Sequence, residues 1–113
     1  MSITYKVKGL EKFIRSVNQK TKNAEVMVDR ELNRSALRIE RKAKYYSPWD
    51  TGFMSMSIFS HKVGKLQWEV SSPAEYSIYV ELGTRRQSPQ PFLYPAVEEE
   101  FPVLMNKLKR MFN

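Results

Sequence analysis

The sequence predicts an α+β fold, with a long N-terminal helix and a C-terminal helix packed on a mostly antiparallel sheet of about four strands. Three observations predict it. Apolar residues step by three or four from Leu10 to Tyr46 and again from Val97 to Met111, the period of a helix with one buried face. They alternate with polar residues in short runs before and between these stretches, the period of half-buried strands. Breaks at Gly9, Pro48, Gly52 and Gly83 separate the periods. With 113 residues, the chain is read as a single domain spanning 1–113.

Ile3, Tyr5 and Val7 alternate with Thr4 and Lys6, which gives a strand over 2–8. A helix is predicted over 10–46, its stripe including Leu10, Phe13, Val17, Ala24, Val28, Leu32, Ser35, Ile39 and Ala43. Pro48 cannot continue the hydrogen-bond ladder and closes it. A helix of ~37 residues would be ~55 Å long at 1.5 Å per residue, whereas a compact domain of this size is roughly 35 Å across. Two readings stay open: the helix breaks, with "QKTKNA" around Lys22 as the place, or it projects and buries its stripe on another subunit.

A hairpin and a third strand are predicted over 53–83. Met54, Met56 and Ile58 share one face, Leu66, Trp68 and Val70 another, and "HKVGK" forms the turn. Tyr76, Ile78, Val80 and Leu82 then alternate with Ser77, Tyr79 and Glu81 as a further strand ended by Gly83. A loop over 84–94 leads to a C-terminal helix over 95–112. Pro95 suits its first turn, Glu98 to Glu100 its positive end, and Lys107, Lys109 and Arg110 its negative end. Pro102 either kinks this helix or marks its start.

Composition excludes several classes of chemistry. Without cysteine there is no thiolate nucleophile, thiolate metal site or disulfide. The opening "MSITYKVKGL" is not a signal-peptide core, and no apolar run reaches the ~20 residues that cross a bilayer, so no membrane association is expected. His61 can be combined with Asp50 and Ser57 or Ser60 only nominally, because the spacing matches no nucleophile motif, and a turn histidine is the plainer reading. "EEE" at 98–100 diverges around a helix instead of converging on a metal, and no glycine-rich phosphate loop exists. The reading is a non-enzyme without a cofactor or metal.

Two features point to partners. The net charge of +7 is concentrated in residues 1–50, which carry twelve basic against six acidic residues. Arg30, Arg34, Arg38 and Arg41 recur there at helical spacing as candidate contacts for DNA or another subunit. The alternative is a solvated face offset by Glu31 and Glu40. The second feature is the proline-stiffened basic loop Thr84, Arg85, Arg86, Gln90, Pro91, Phe92, Leu93. A preset loop loses less entropy on docking, and Phe92 is either its apolar anchor or tucked under its own helix.

The order of motifs resembles a known family. "SPWDTGFMSMSI", then "YSIYVELGT" after a hairpin, then "QPFLYPAV", with "VKGLEKF" at the start, is similar to the minor structural proteins of long-tailed bacteriophages known from gene product ten of phage HK-ninety-seven. That family's Pro-x-Asp-Thr-Gly turn falls on Pro48, Asp50, Thr51 and Gly52, and its Ser-Ile on Ser57 and Ile58. Its Tyr-x-x-Tyr-x-Glu-x-Gly-Thr segment falls on Tyr76, Tyr79, Glu81, Gly83 and Thr84. Its last motif falls on Gln90, Pro91, Phe92, Leu93, Pro95 and Ala96. Ser77, Leu82 and Tyr94 depart from it, standing where the family often has alanine, an aromatic and arginine.

The resemblance implies a non-enzymatic virion component of the neck that joins head connector to tail, assembling as a homo-oligomeric ring around the DNA channel. Its implied partners are copies of itself, head-completion or connector proteins, tail terminator or tail tube proteins, and non-specific double-stranded DNA in the channel. Its implied location is the virion neck, and the host cytoplasm during assembly. The rival from another class is a small basic nucleic-acid-binding protein acting through the arginine row.

Overall fold

The computed structural model describes residues 3–7, 23–47, 56–72, 77–86 and 88–111. Its elements are β1 (Ile3–Val7), α1 (Ala24–Tyr46), β2 (Phe59–Gly64), β3 (Gln67–Ser72), α2 (Ser77–Leu82) and α3 (Leu93–Met111). The fold is α+β, as the periodicities predict. Among the described residues the sheet has three strands where about four are expected, all antiparallel, in the order β1-β3-β2, so the first of these strands pairs with the last.

The register follows from burial. Tyr5 opposes Val70 and Ser60 opposes Val70 from the other edge, while Lys6 and His61 flank Glu69. A period of two therefore sends Tyr5, Trp68 and Val70 inward, and makes Lys6, His61 and Glu69 a polar row on the outer face. Helices α1 and α3 pack together over the inner face. One apolar cluster joins Ala36, Ile39, Ala43, Ile58, Val70, Phe92, Leu93 and Ala96. A second joins Val28, Leu32, Leu66, Leu104 and Leu108 toward the far end of the two helices.

Helix α1 buries the stripe the sequence marks, Ala24, Val28, Leu32, Ser35, Ile39 and Ala43. Its start differs from the expected one. Asn23 adopts φ 68, a left-handed conformation that no residue inside a helix has, so an unbroken helix over 10–46 does not hold. The interruption falls inside "QKTKNA", and residues 10–22 lie outside the described residues. At 1.5 Å per residue the 23 residues of α1 span about 35 Å. The molecule is elongated, with extents of 54 × 23 × 21 Å.

The hairpin turn lies two residues beyond the centre of "HKVGK". His61 to Gly64 belong to β2, and Lys65 and Leu66 make the turn. Leu66 pays for this with φ 55. A left-handed residue costs about 1–2 kcal/mol, and full burial of a leucine side chain returns about 1.5–3 kcal/mol. Leu66 is buried in the second cluster, so burial wins and moves the turn. Strand β2 correspondingly starts at Phe59, while Met56 is exposed in a helical turn ahead of it and Met54 lies outside the described residues.

Ser77 to Leu82 form helix α2, not the expected strand. The buried residues are Ser77 and Glu81, four apart, and Leu82 is exposed; a strand over the same residues would bury every second side chain. Ser72 and Ser77 hydroxyls bond at 2.7 Å and tie its start to β3. Helix α3 begins at Leu93 and runs through Pro102, so Pro102 marks an interior position and not the start.

Candidate functional site

The loop between α2 and α3 is built around one carboxylate. Glu81 sits on the buried side of α2 and accepts the backbone amides of Phe92 at 3.3 Å, Leu93 at 2.9 Å and Tyr94 at 3.3 Å. The first amides of a helix have no partner within it and carry the positive end of its dipole. An anionic side chain placed there satisfies both, so Glu81 closes the loop by capping the helix that follows it. The Gln90 amide donates to the Val80 carbonyl at 2.8 Å and pins the loop a second time.

Gly83 makes the return possible. Its amide donates to the Tyr79 carbonyl at 2.8 Å, its φ is 81, and a Cβ placed on it would lie 2.8 Å from the Pro89 nitrogen. Only glycine fits that conformation and that approach. The motif segments from Glu81 to Leu93 thus form one device: a helix, a glycine hinge, a proline packed on it, and a second helix capped from the first.

The device sorts the predicted loop residues into two groups. Thr84, Arg85, Arg86, Gln90 and Pro91 are exposed. Phe92 and Leu93 are not: Phe92 is 0 % exposed and Leu93 is buried beside it in the first cluster. Phe92 is therefore a core residue and cannot anchor a partner, a correction to the docking role expected of it. The reason is the cap, because amides held by Glu81 turn the following side chain toward α1. Pro48, Asp50, Thr51, Gly52 and Tyr76 lie outside the described residues.

A different apolar surface lies beside the loop. Leu82 is 68 % exposed, Tyr94 64 %, and Tyr79 is exposed next to them. Tyr5, Leu82, Pro91, Leu93, Tyr94 and Val97 line a groove of about 580 Å³ whose few polar groups are Thr4 and Glu81. Reading Leu82 as a strand residue hid it from the sequence, because its exposure depends on α2 being a helix. Burial pushes the Tyr5 hydroxyl pKa up, with the Glu100 carboxylate adding to the effect.

The arginine row is also divided. Arg38 donates to both carboxylate oxygens of Glu100, from Nε and Nη2 at 2.8 Å each, and from Nη2 to Glu31 Oε2 at 2.8 Å. Ser35 Oγ adds a bond to Glu100 Oε2 at 2.6 Å. Glu100 is 2 % and Glu31 3 % exposed, so this one guanidinium bonds to two buried carboxylates and fastens α1 to α3. The bonds from Glu100 hold Arg38 still more firmly protonated than usual. Arg38 is thus structural, whereas Arg30, Arg34 and Arg41 are exposed.

The three glutamates at 98–100 have three environments. Glu98 is exposed and Glu100 is buried on Arg38. Glu99 accepts the Tyr46 hydroxyl and lies 3.0 Å from Lys42, and these contacts hold its pKa below the usual carboxylate value. His61 stands on the outer sheet face, stacked on Phe59 and 3.5 Å from Glu69, not at a hairpin tip. No helix of the described residues is long and apolar enough to cross a membrane.

A family described as "HK97-gp10_like: Bacteriophage HK97-gp10, putative tail-component" matches residues 11–83. Neither a curated protein nor a solved structure gives a significant match. The matched span holds α1, the hairpin, and α2 with Glu81 and Gly83, the parts that position the loop. It covers well over half of the 113 residues, and the chain therefore belongs to the HK97-gp10-like family of bacteriophage structural proteins.

Proposed function

We propose that this protein is a non-enzymatic component of the virion neck that completes the tail and joins it to the head connector, working as a homo-oligomeric ring around the DNA channel. Family membership supports a phage structural role. The observation that carries the finer reading is the loop Thr84 to Pro91 standing beside an uncovered apolar groove, both held rigid by the Glu81 cap. Rigid exposed loops and apolar grooves ringed by polar residues are what protein partners bind at least entropic cost.

The groove takes over the role that Phe92 cannot fill. Leu82 and Tyr94 supply the apolar contact, and Arg85 and Arg86, exposed in the adjoining loop, supply charge. The partners are neighbouring copies, the head connector and the tail terminator or tail tube. The protein acts in the virion neck after assembling in the host cytoplasm. The test is native mass measurement and electron microscopy of the purified protein alone and with connector and tail proteins. Rings or joined particles that Leu82→Ser/Tyr94→Ser abolishes support the reading; a stable monomer that binds neither partner overturns it.

A further inference from the structure

We infer that the groove between α1 and α3, walled by Arg30 and Arg34 on one helix and by Lys107 and Arg110 on the other, binds the phosphate backbone of double-stranded DNA without reading its sequence. The groove has a volume of about 360 Å³, and Met27, Met111 and Glu31 complete it. It joins residues from opposite halves of the chain. The linear row Arg30, Arg34, Arg38, Arg41 missed it, because packing withdraws Arg38 into the Glu31–Glu100 network and brings Lys107 and Arg110 in its place.

Among the described residues, Arg30, Lys107 and Arg110 make no ion pair, and Arg34 lies only loosely against Glu31 at 3.7 Å. Glu31 is itself committed to Arg38 at 2.8 Å. The other carboxylates on this half of α1 are drawn to the sheet side, Asp29 by Lys62 at 3.0 Å and Glu25 by Lys65 at 3.5 Å. The dipole of α3 accounts for Arg110 in its last turn. It does not account for Arg30 and Arg34, which sit in the N-terminal half of α1, where a helix dipole offers cations nothing. Like charges one helical turn apart repel, so the cluster is held together at a cost that an anion would relieve.

The composition selects the anion. Interfaces between proteins centre on aromatic anchors and exclude charge from their cores, and among the described residues this groove has no aromatic lining. Among them it also has no Asn or Gln side chain to read base edges and no ring to stack on bases. Guanidinium and ammonium groups one helical turn apart remain, which are the groups that grip phosphates and carry no sequence information.

The site goes beyond the neck assignment and is tested separately, by fluorescence anisotropy of a labelled mixed-sequence duplex. Four phosphate contacts predict affinity falling roughly 100-fold between 50 and 200 mM salt. Arg30→Gln/Lys107→Gln/Arg110→Gln, all at exposed positions, is expected to weaken binding at 50 mM salt by more than tenfold and to flatten the salt slope to about a quarter. Lys6→Gln/Lys42→Gln/Lys65→Gln removes the same charge elsewhere and is expected to change affinity less than threefold. Equal losses in the two variants would reveal bulk charge only and overturn the site. So would tighter binding to polyglutamate than to duplex, which would mark an acidic protein as the occupant, or a preference among duplex sequences. Circular dichroism checks folding of each variant. Backbone shift changes on adding duplex to the unmodified protein locate the contact independently, and shifts confined to residues outside α1 and α3 would also overturn the proposal. Loss of duplex binding leaves the ring and head-tail reading standing, since that is read by co-assembly without DNA.

Discussion

Arg38→Leu separates a structural guanidinium from a surface one. The substitution removes the cation between Glu31 and Glu100, which are 3 % and 2 % exposed, and leaves only the Ser35 hydroxyl on Glu100 and Arg34 at 3.7 Å on Glu31. Removing one partner of a buried ion pair costs about 3–5 kcal/mol, mostly because the remaining charge stays in a poorly solvated place. The Arg38 side chain is 26 % exposed, so water reaches part of the site and the lower end applies, about 3 kcal/mol. With an unfolding entropy of about 2.1 cal/mol/K per residue, that is a fall in melting temperature of roughly 12 °C.

The assay is urea unfolding followed by circular dichroism, urea being chosen because guanidinium would screen the charges. One further measurement sharpens it. Arg38→Leu/Glu100→Leu replaces the central pair by apolar contact and should recover part of the loss, since a buried pair is often no more stable than well-packed apolar residues, while Glu31 stays buried without its close cation. An unfolding free energy within about 0.5 kcal/mol of the parent would refute the reasoning, and Arg38 would return to the exposed row.

Three other outcomes follow from the same geometry. Phe92→Ala should destabilise by about 3–5 kcal/mol in equilibrium unfolding because the ring is fully buried; an anchor meant for a partner would leave the isolated protein's stability unchanged. Glu81→Ala should cost about 2 kcal/mol and speed hydrogen exchange at the Leu93 amide, since the amides of Phe92, Leu93 and Tyr94 at the start of α3 lose their acceptor; unaltered exchange there would disprove the cap. Because burial raises the Tyr5 pKa above 10.0, the unfolded chain ionises first. Its contribution is present below pH 10 and lost as pH rises through the folded value. Tyr5→Phe should therefore flatten the loss of stability above pH 10 measured by urea titration.

The amino-acid sequence alone determined the elements whose period is local. The stripe Val28, Leu32, Ile39, Ala43 is buried as read, and so are Leu66 and Val70, because a helix or strand with one buried face repeats its apolar residues at its own period. The motif residues were legible too, and with them the family. What tertiary structure decided were the interactions between distant residues. Arg38 and Glu100 stand 62 positions apart, and no local pattern marks them as partners. Ser77 to Leu82 carry a period of two that reads as strand, yet they form a helix because only that geometry points Glu81 at the α3 amides eleven to thirteen residues ahead. Phe92 looks exposed in a proline-rich loop and is sealed by that same cap. Burial and charge pairing depend on which surfaces meet, and chain order records that only where neighbours in sequence are also neighbours in space.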